Sequence, residues 1–535
     1  MLAPALLRPR AGPMLGILLS MLAALAPAAA QTPERYDVLV RGGRVLDGSG
    51  NAWVRADLGI RGDRIVALGD LRGDTATSVL DAEGLYVAPG FIDTHSHAGP
   101  ALETPDLSAA HQLLAQGVTT VFVNPDGGGS VDLTAQRRDL LAHGLGVNVA
   151  LMVPHGSVRR AVLGMADRAP TPAELQRMEA LVQRGMEEGA FALSSGPFYA
   201  PGSFARTDEL VALARVAARY GAPYQSHIRD ESDYTIGLLA AVEEVVTVAR
   251  EAGTRGVVTH IKALGPNVWG FSAAIVQRVE RARAQGVEVF ADQYPYDASQ
   301  TSLDAALVPR WAQAGGDDSL RARLADAAQR PRIEAGMREN LARRGGAARI
   351  RIARFRPDTT VEGHTLAELT ARQGGDTIAT ALSLITRGSV GIVSFNMDDA
   401  DIERLMRQPW TMTASDGALV RAGEGVPHPR GNGAFPRKLR KYVVEDEVVS
   451  LPFAIRTMTS LPATVYRVAD RGVLRPGAYA DVVVFDLAKV RDRATFEDPH
   501  QLAEGMVHVL VNGRLAIRDG AFTDARAGKV LRRRP

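Results

Sequence analysis

Eight short apolar segments alternate with helical patterns through the middle of this 535-residue sequence. They predict an α/β fold built on a parallel (β/α)8 barrel of the TIM type. The segments lie at 90–95, 118–124, 147–153, 189–194, 222–227, 256–261, 287–292 and 410–415, with helical patterns such as Pro172–Glu188 and Thr207–Tyr220 between them. Alternating apolar residues and glycine turns at both chain ends predict a small β-sandwich domain that the two ends build together.

The predicted domains follow one another along the chain. Residues 34–87 form the N-terminal part of the sandwich, 88–465 the barrel and 466–530 the C-terminal part of the sandwich. The interval 297–409 is too long for one crossover. It predicts an insertion near 297–390 with its own helices, followed by an extra short strand near 390–394.

The first 30 residues have the composition of a secretory signal peptide. Arg8 and Arg10 precede an apolar run from Met14 to Leu25, and three alanines before Gln31 fit a cleavage site. The run is too short for a comfortable membrane span. We therefore predict a protein exported to the periplasm without a stable membrane span, with a retained N-terminal anchor as the alternative.

The remaining composition excludes several classes of function. Without residues 1–30 the chain has 60 basic and 60 acidic residues, so its formal net charge is zero and no nucleic-acid surface is indicated. Cysteine is absent, which excludes disulfides and thiolate nucleophiles. Any metal must therefore bind to His, Asp, Glu or a modified Lys.

Aspartate, histidine and lysine side chains lie at the C-terminal ends of the predicted barrel strands. His95 and His97 point to one face of the first strand, because side chains at i and i+2 do so. Since the chemistry of such barrels sits at the C-terminal strand ends, these residues are candidates for one shared metal site. The other strand-end candidates are Asp126, His155, His227, His260, Lys262 and Asp416.

Each candidate also has a structural interpretation. Asp126 precedes three glycines and Asp416 lies in a Ser-Asp-Gly segment, so either could be a turn residue. His227 and His260 could be hydrogen-bonded core histidines. His155 could contact substrate or cap the helix that follows it. The convergence of four histidines and two aspartates at equivalent strand ends favours the metal site.

The chain resembles the amidohydrolase superfamily and, within it, the N-acyl-D-amino-acid deacylase (D-aminoacylase) family. The matching segments cover nearly all of the mature chain and read GFIDTHSH, GVTTVFV, MEEGAFALSSGPFYAPG, YQSHIRDES, VVTHIKALG, DQYPY, ASDG, HPRGNGAFPR and PGAYADVVVFD. The resemblance implies a barrel with a flanking β-sandwich, a zinc centre of one or two ions and hydrolysis of an amide bond.

The resemblance also implies roles for single residues. His95 and His97 match the first-strand metal pair, and His227 and His260 match the tighter zinc ligands. Asp416 matches the catalytic aspartate. The positions that hold the substrate's carboxylate and amide in the family match Tyr199, Lys262, Tyr294 and Arg430. A guanidinium can grip a carboxylate with two parallel hydrogen bonds; the alternative for Arg430 is a loop arginine paired with a nearby acid.

Two departures from the family pattern affect the metal and the substrate. Family members usually have cysteine where this chain has Asp126, and commonly an aspartate where it has Ala98 and Gly99. Related enzymes bridge two metals with a carboxylated lysine on strand 4, but the segment GAFALSS has no lysine. Asp126 is therefore the candidate bridging ligand, and the metal count stays open.

The function predicted from these observations is hydrolysis of N-acyl-D-amino acids, or related D-configured peptides, by a metal-activated water. Asp416 would take the water's proton and return it to the leaving nitrogen. His155 or Tyr199 would help to polarise the carbonyl. The partner is a small amide with a free carboxylate. The alternatives are a β-aspartyl or other dipeptidase, a cyclic amidase such as a hydantoinase or dihydroorotase, and a non-catalytic binding protein.

Overall fold

A computed structural model describes residues 34–534, and it contains the predicted parallel barrel. The signal peptide predicted at 1–30 lies outside the described residues. In chain order the eight barrel strands are Phe91–Asp93, Val118–Val123, Asn148–Leu151 with Val153–Pro154, Leu193–Ser195, Tyr224–Ser226, Gly256–Val258, Val289–Gln293 and Thr411–Thr413. Each pairs in parallel with the next. A parallel bridge between Ser96 and Gly417 closes the barrel.

The third barrel strand differs from the continuous strand predicted at 147–153. Its first part pairs with the second strand and its last two residues pair with the fourth. Barrel strands are tilted and staggered, so one strand meets its two neighbours at different heights. A break at Met152 is where this strand changes partners.

Helices connect most of the barrel strands and pack outside them. The helix Pro172–Glu187 begins where the sequence predicts, because Thr171 and Glu174 form a reciprocal capping box. No helix between residues 34 and 534 combines the length and apolar character needed to cross a membrane. The helices of this layer are Gly99–Leu102, His111–Leu114, Leu133–Leu141, His155–Leu163, Pro172–Glu187, Thr207–Ala218, Leu238–Ala252, Ser272–Ala284 and Asp399–Met406.

Both ends of the chain build one nine-stranded sheet, which folds around an apolar core to form the β-sandwich. The long first strand, Arg35–Val45, pairs with three partners. The last N-terminal strand, Tyr86–Pro89, pairs with the first C-terminal strand, Val482–Phe485. The other strands are Val54–Arg61, Arg64–Gly69, Thr75–Asp81, Met506–Val511, Arg514–Arg518 and Ala521–Phe522.

The segment between the seventh and eighth barrel strands has a sheet and a core of its own. Three antiparallel strands, Ala298–Ser302, Gly391–Phe395 and Ile350–Arg354, form the sheet in that order. A separate apolar cluster fills the space between this sheet and its helices. The helices are Leu303–Leu307, Asp317–Ala325, Arg330–Arg343, Leu366–Gln373 and Thr377–Ile385. We call this segment, residues 298–395, the insertion.

After the eighth strand the chain forms a helical segment before it returns to the sandwich. It consists of Arg430–Arg437, a π-helix at Lys438–Glu445, Leu451–Met458 and Ser460–Tyr466. A loop between the eighth strand and Arg430 lies over the C-terminal end of the barrel. This loop carries Asp416 and leads to Arg430.

A buried polar network joins the sandwich to the third barrel strand. Arg471 forms an ion pair with Asp481, and both residues are about 4% exposed. Asp481 also accepts hydrogen bonds from the Asn148 side chain at 3.2 Å and the Asn512 backbone N–H at 2.8 Å. Because Asn148 begins a barrel strand, the network fixes one domain against the other.

Arg471→Met is expected to destabilise the protein by about 3–5 kcal/mol, because it leaves the Asp481 carboxylate buried without its counter-charge. Thermal or denaturant unfolding measures the loss. The control is Arg475→Met, which removes an arginine that is 58% exposed and paired with Asp470; it should change stability by less than about 0.5 kcal/mol. Equal effects of the two substitutions would contradict the role of the buried pair.

Candidate metal centre and active site

Ionisable side chains from five barrel strands meet around one carboxylate at the C-terminal end of the barrel. Asp126 Oδ1 lies 3.2 Å from His95 Nε2, 3.5 Å from His260 Nε2 and 3.6 Å from His227 Nδ1. Its other oxygen lies 3.3 Å from His97 Nε2. The set that the structure brings together is His95, His97, Asp126, His227, His260 and Asp416, which contains all the predicted metal ligands.

These residues form two groups that share Asp126. His95, His97 and Asp416 form one group with it, and His227 and His260 form the other. In each group the possible ligand atoms all lie within 4.8 Å of one another. The geometry therefore offers two adjacent metal sites with Asp126 between them, where the sequence predicts a bridging ligand.

Several ligand atoms have no hydrogen-bond partner among residues 34–534. They are His95 Nε2, Asp126 Oδ1 and both ring nitrogens of His227, all buried. An unpaired buried polar atom costs about 1–3 kcal/mol, so an accumulation of them at one point indicates a missing ligand. Nitrogen and carboxylate oxygen are the donors that zinc accepts, and the residues present fit such an ion.

Cationic side chains pair with the other two carboxylates of the site. Arg430 Nη1 lies 2.7 Å from Asp416 Oδ2, and Lys262 forms an ion pair with Glu231. Within the described chain, Asp126 has no lysine or arginine partner and contacts imidazoles. It is thus the carboxylate whose charge remains available to a metal cation.

The charges around Asp416 keep it ionised. Burial alone would raise the pKa of this carboxyl, but the charges of Arg430, His260 and His95, with a hydrogen bond from His97, lower the pKa well below its usual range. Its Oδ1 lies 3.1 Å from His97 Nε2. Asp416 can therefore accept a proton at neutral pH while it faces the metal-binding imidazoles.

Glu231 contacts two of the histidines, which the sequence analysis missed. Its Oε1 lies 3.1 Å from His260 Nδ1 and its Oε2 lies 3.7 Å from His227 Nε2. Each contacted nitrogen is the one that faces away from Asp126. At 3.1 Å the carboxylate is within hydrogen-bond distance of the His260 ring and can hold its orientation for metal binding, whereas at 3.7 Å its contact with His227 is electrostatic only.

Three further buried polar side chains hold the first and sixth strand ends in place. Asp292 Oδ1 accepts the His260 backbone N–H at 2.6 Å. Asp93 Oδ1 accepts the backbone N–H groups of Ser415 and His95 at 2.9 and 3.2 Å. The Gln225 side-chain amide lies 3.4 Å from His95 Nδ1. These bonds connect strand ends around the barrel and restrain the positions of the ligands.

The backbone is strained at three of the site residues. Asp126, His260 and Asp416 have φ values of 56°, 34° and 49°, in the left-handed region that non-glycine residues seldom adopt. Such conformations cost of order 1–3 kcal/mol each and persist where the surroundings enforce them. Here they turn each side chain from the strand end toward the common centre.

A cavity of about 920 Å³ opens onto this centre and contains most of the predicted substrate residues. The Tyr294 hydroxyl is buried without a hydrogen-bond partner among the described residues. The Tyr199 hydroxyl lies 3.2 Å from Thr301 Oγ1, and its ring packs against His227 at a centroid distance of 4.7 Å. Lys262 also lines the cavity, although Glu231 holds its ammonium group.

The structure pairs Arg430 with an acidic side chain, as its alternative interpretation predicts, and its contact with the substrate carboxylate stays a prediction. Its Nη1 pairs with Asp416, whereas its Nε has no hydrogen-bond partner in residues 34–534. The guanidinium lies over the Tyr294 ring, 4.6 Å from its centroid. His428 fixes the backbone at this point, because its Nδ1 accepts the Arg430 backbone N–H at 3.0 Å and its Nε2 donates to the Ala298 carbonyl at 2.9 Å.

His155 does not reach the cavity, which corrects its predicted contact with substrate or carbonyl. It begins the helix that follows the third strand, and its Nε2 lies 2.9 Å from Glu209 Oε1. Arg159 also pairs with Glu209, and all three side chains are fully buried. The alternative prediction fails as well, since no side-chain cap is present at this helix start. His155 instead belongs to a structural network.

Glu231→Gln is expected to lower metal affinity about 10- to 100-fold, because a neutral amide holds the His260 ring less strongly than a carboxylate and removes the negative charge beside His227. Competition with a chelator, followed by metal analysis, measures the change. Glu243→Gln, at a partly exposed glutamate that pairs with Arg278 on the surface, serves as the control. Unchanged affinity in Glu231→Gln would show that the histidines are positioned without it.

Comparisons with known proteins agree with this geometry. A model of the amidohydrolase family matches residues 78–517. N-acyl-D-glutamate deacylase of Alcaligenes xylosoxydans xylosoxydans is 38% identical over 524 residues, covering 94% of this chain and 97% of that protein. D-aminoacylase of the same organism is 34% identical over 526 residues, covering 94% of this chain and 98% of that protein.

A solved structure is similar over the same extent. It is N-acyl-D-glutamate deacylase from Bordetella bronchiseptica, complexed with zinc and a phosphonate inhibitor that mimics the reaction's tetrahedral intermediate. It shares 37% sequence identity and a TM-score of 0.79, covering 93% of this chain and 100% of that one. The resemblance drawn from the sequence motifs is confirmed, and this chain belongs to the amidohydrolase family.

Proposed function

We propose that this protein is a metal-dependent hydrolase that cleaves the amide bond of N-acyl-D-amino acids. The observation that carries the proposal is the meeting of four histidines around Asp126, beside an ionised Asp416, next to the cavity. The activities named for the similar deacylases support the D configuration and the N-acyl group of the substrate.

The ligand sets suit one or two zinc ions. His227 and His260 with Asp126 would hold one ion, and His95 and His97 with Asp126 would hold the other. A divalent metal in such a site lowers the pKa of bound water to about 7 and polarises a carbonyl oxygen. Asp126 replaces the cysteine of related enzymes, and as an oxygen donor it is a harder ligand than thiolate.

Asp416 is the residue that moves the proton. Its Oδ1 faces His95 and His97, and its Oδ2 faces Arg430. The carboxylate accepts a proton from the attacking water and then donates it to the leaving amide nitrogen. Arg430 keeps Asp416 ionised before the reaction and therefore ready to accept that proton.

Substrate binding would use the hydrogen-bond donors that remain free in the cavity. The Tyr294 hydroxyl and Arg430 Nε have no partner among the described residues, and the Arg430 guanidinium lies over the Tyr294 ring. We assign the α-carboxylate of the substrate to this pair, with Lys262 nearby. Tyr199, which packs on His227, would contact the substrate's amide.

A turnover screen tests the function. The zinc-loaded protein is assayed against paired D and L forms of N-acetyl amino acids, with dipeptides and cyclic amides in parallel. Hydrolysis of the D N-acetyl amino acids, with little turnover of the others, is the expected result. Preferential cleavage of dipeptides or hydantoins would replace the proposal with a dipeptidase or a cyclic amidase, and no turnover at all would favour a binding protein.

We also propose that the protein is exported to the periplasm. The charges at Arg8 and Arg10, the short apolar run and the alanines before Gln31 support export. Fractionation of cells that express the full chain, with sequencing of the mature N-terminus, tests it. A cytoplasmic protein that keeps its first residue would contradict the proposal.

Asp416→Asn should retain the metal held by the Asp126, His227 and His260 group but lose about 10²–10⁴-fold in kcat, because an amide cannot accept the proton. Steady-state kinetics and metal analysis of the same preparation measure both effects. If the variant keeps more than about a tenth of the wild-type kcat, another group is the base.

Arg430→Met should move the acidic limb of the kcat/KM profile to higher pH. The charge of Arg430 lowers the pKa of Asp416, so its removal raises that pKa, and protonation then inactivates the base at a higher pH. Arg421→Met is the control, because Arg421 follows the same strand but pairs with Asp106 and is 47% exposed. A profile that falls in height without moving would limit Arg430 to substrate binding.

A further inference from the structure

One cationic side chain that lines the cavity is buried without a counter-charge. Lys262 and Arg430 pair with carboxylates, and Arg160 is exposed at the rim. Arg344 also lines the cavity but is only 1% exposed. Among residues 34–534 no carboxylate forms a salt bridge with it. Burial of an unpaired charge costs several kcal/mol, so this position calls for a functional reason.

Neutral groups hold Arg344 in place. It ends the helix Arg330–Arg343 of the insertion. With its amide oxygen turned toward this helix, Asn396 accepts a hydrogen bond from Arg344 Nη1 at 3.2 Å and another from Ser299 Oγ at 3.0 Å. The guanidinium carbon lies 5.9 Å from the centroid of the Tyr234 ring. These contacts fix its position but leave its positive charge uncompensated.

A second arginine of the insertion adds to this positive region. Arg310 lies over the Phe198 ring, 4.0 Å from its centroid, and donates to the Ala305 carbonyl at 2.7 Å. Burial and the nearby charge of Arg344 lower the pKa of Arg310 to about 10. The insertion therefore presents two guanidinium groups next to the cavity wall that Phe198 and Tyr199 form.

We propose that Arg344 binds a second carboxylate of the substrate, the side-chain carboxylate of an N-acylated acidic amino acid such as D-glutamate or D-aspartate. The α-carboxylate is already assigned to Tyr294 and Arg430, so a further anion needs a further cation. A guanidinium can receive a carboxylate with two parallel hydrogen bonds, which a lysine cannot reproduce. The inference rests on the proposed function and adds its substrate class.

Neutral polar side chains that line the same cavity as Arg344 suit the same ligand. Ser299, Gln300, Thr301 and Ser302 belong to the first strand of the insertion and line the cavity. They offer hydrogen bonds without adding negative charge. An apolar substrate side chain would leave Arg344 buried and unpaired in the complex, whereas a carboxylate would satisfy it.

The test compares two substrates that differ in charge but not in shape, N-acetyl-D-glutamate and N-acetyl-D-glutamine. Arg344→Met should lower kcat/KM for the glutamate substrate about ten- to a hundredfold. For the glutamine substrate it should change kcat/KM by less than about threefold. Arg344→Lys should fall between wild type and Arg344→Met. The control Arg343→Met removes the preceding arginine, which pairs with Asp233, and should leave both substrates unaffected.

Stability separates this role from a structural one. Because Arg344→Met removes a buried unpaired charge, its melting temperature should equal or exceed that of the wild type. A lower melting temperature with an equal loss on both substrates would overturn the proposal, since Arg344 would then support the fold. An equal loss at unchanged stability would also overturn it, because Arg344 would then bind the α-carboxylate that both substrates share.

A binding measurement keeps the inference separate from the proposed function. In the zinc-loaded Asp416→Asn variant, calorimetric titration should show N-acetyl-D-glutamate binding at least about tenfold more tightly than N-acetyl-D-glutamine. Addition of Arg344→Met should remove this preference. Absence of turnover in the wild type with the binding preference intact would reject the deacylase function alone. Equal binding of the two compounds would overturn the inference whatever the activity.

Discussion

The active site depends on how closely the Asp126 loop can approach the neighbouring strand ends. A Cβ atom at Gly196, after the fourth strand, would lie 2.2 Å from the Asp126 carbonyl oxygen. Gly127 has φ +70°, and a Cβ there would lie 3.0 Å from the Gly196 nitrogen. Only glycine at both positions lets the loop rest on the fourth strand's end. Any side chain would push the carboxylate away from the histidines that it contacts.

The pairing of charges then decides what each carboxylate can do. Asp126 has imidazoles for neighbours and is left to a metal, Glu231 is neutralised by Lys262, and Asp416 is paired with Arg430. The Arg430 charge has two opposed effects on catalysis. It keeps the base ionised, but a lower pKa also weakens it as a proton acceptor. Substrate that draws Arg430 toward its own carboxylate would relax the second effect, which would couple binding to basicity.

The parts of this architecture that the sequence predicts are those with a local signal. The period of the apolar pattern locates the barrel strands. Because His95, His97, His227 and His260 follow the ends of these strands, the pattern also places them at one end of the barrel. Glu231 cannot be found in this way, because its role depends on which histidine ring nitrogens face away from Asp126. His155 shows the opposite failure: it stands at a strand end like the others, but its helix starts there and its side chain turns to Glu209. Tertiary contacts decide both cases.

The barrel and the insertion contribute different properties to the same cavity. Strand ends supply the proposed metal ligands and Asp416, and the hydrogen bonds that join these strands leave little freedom for change. The insertion has its own apolar core, so its cavity-facing residues can vary without disturbing the metal centre. Arg344 stands at that boundary, buried where a neutral residue would be more stable. A protein retains such an energetic cost when a bound ligand offsets it. The position of Arg344 therefore identifies the side of the cavity formed by the insertion as the part that selects the substrate.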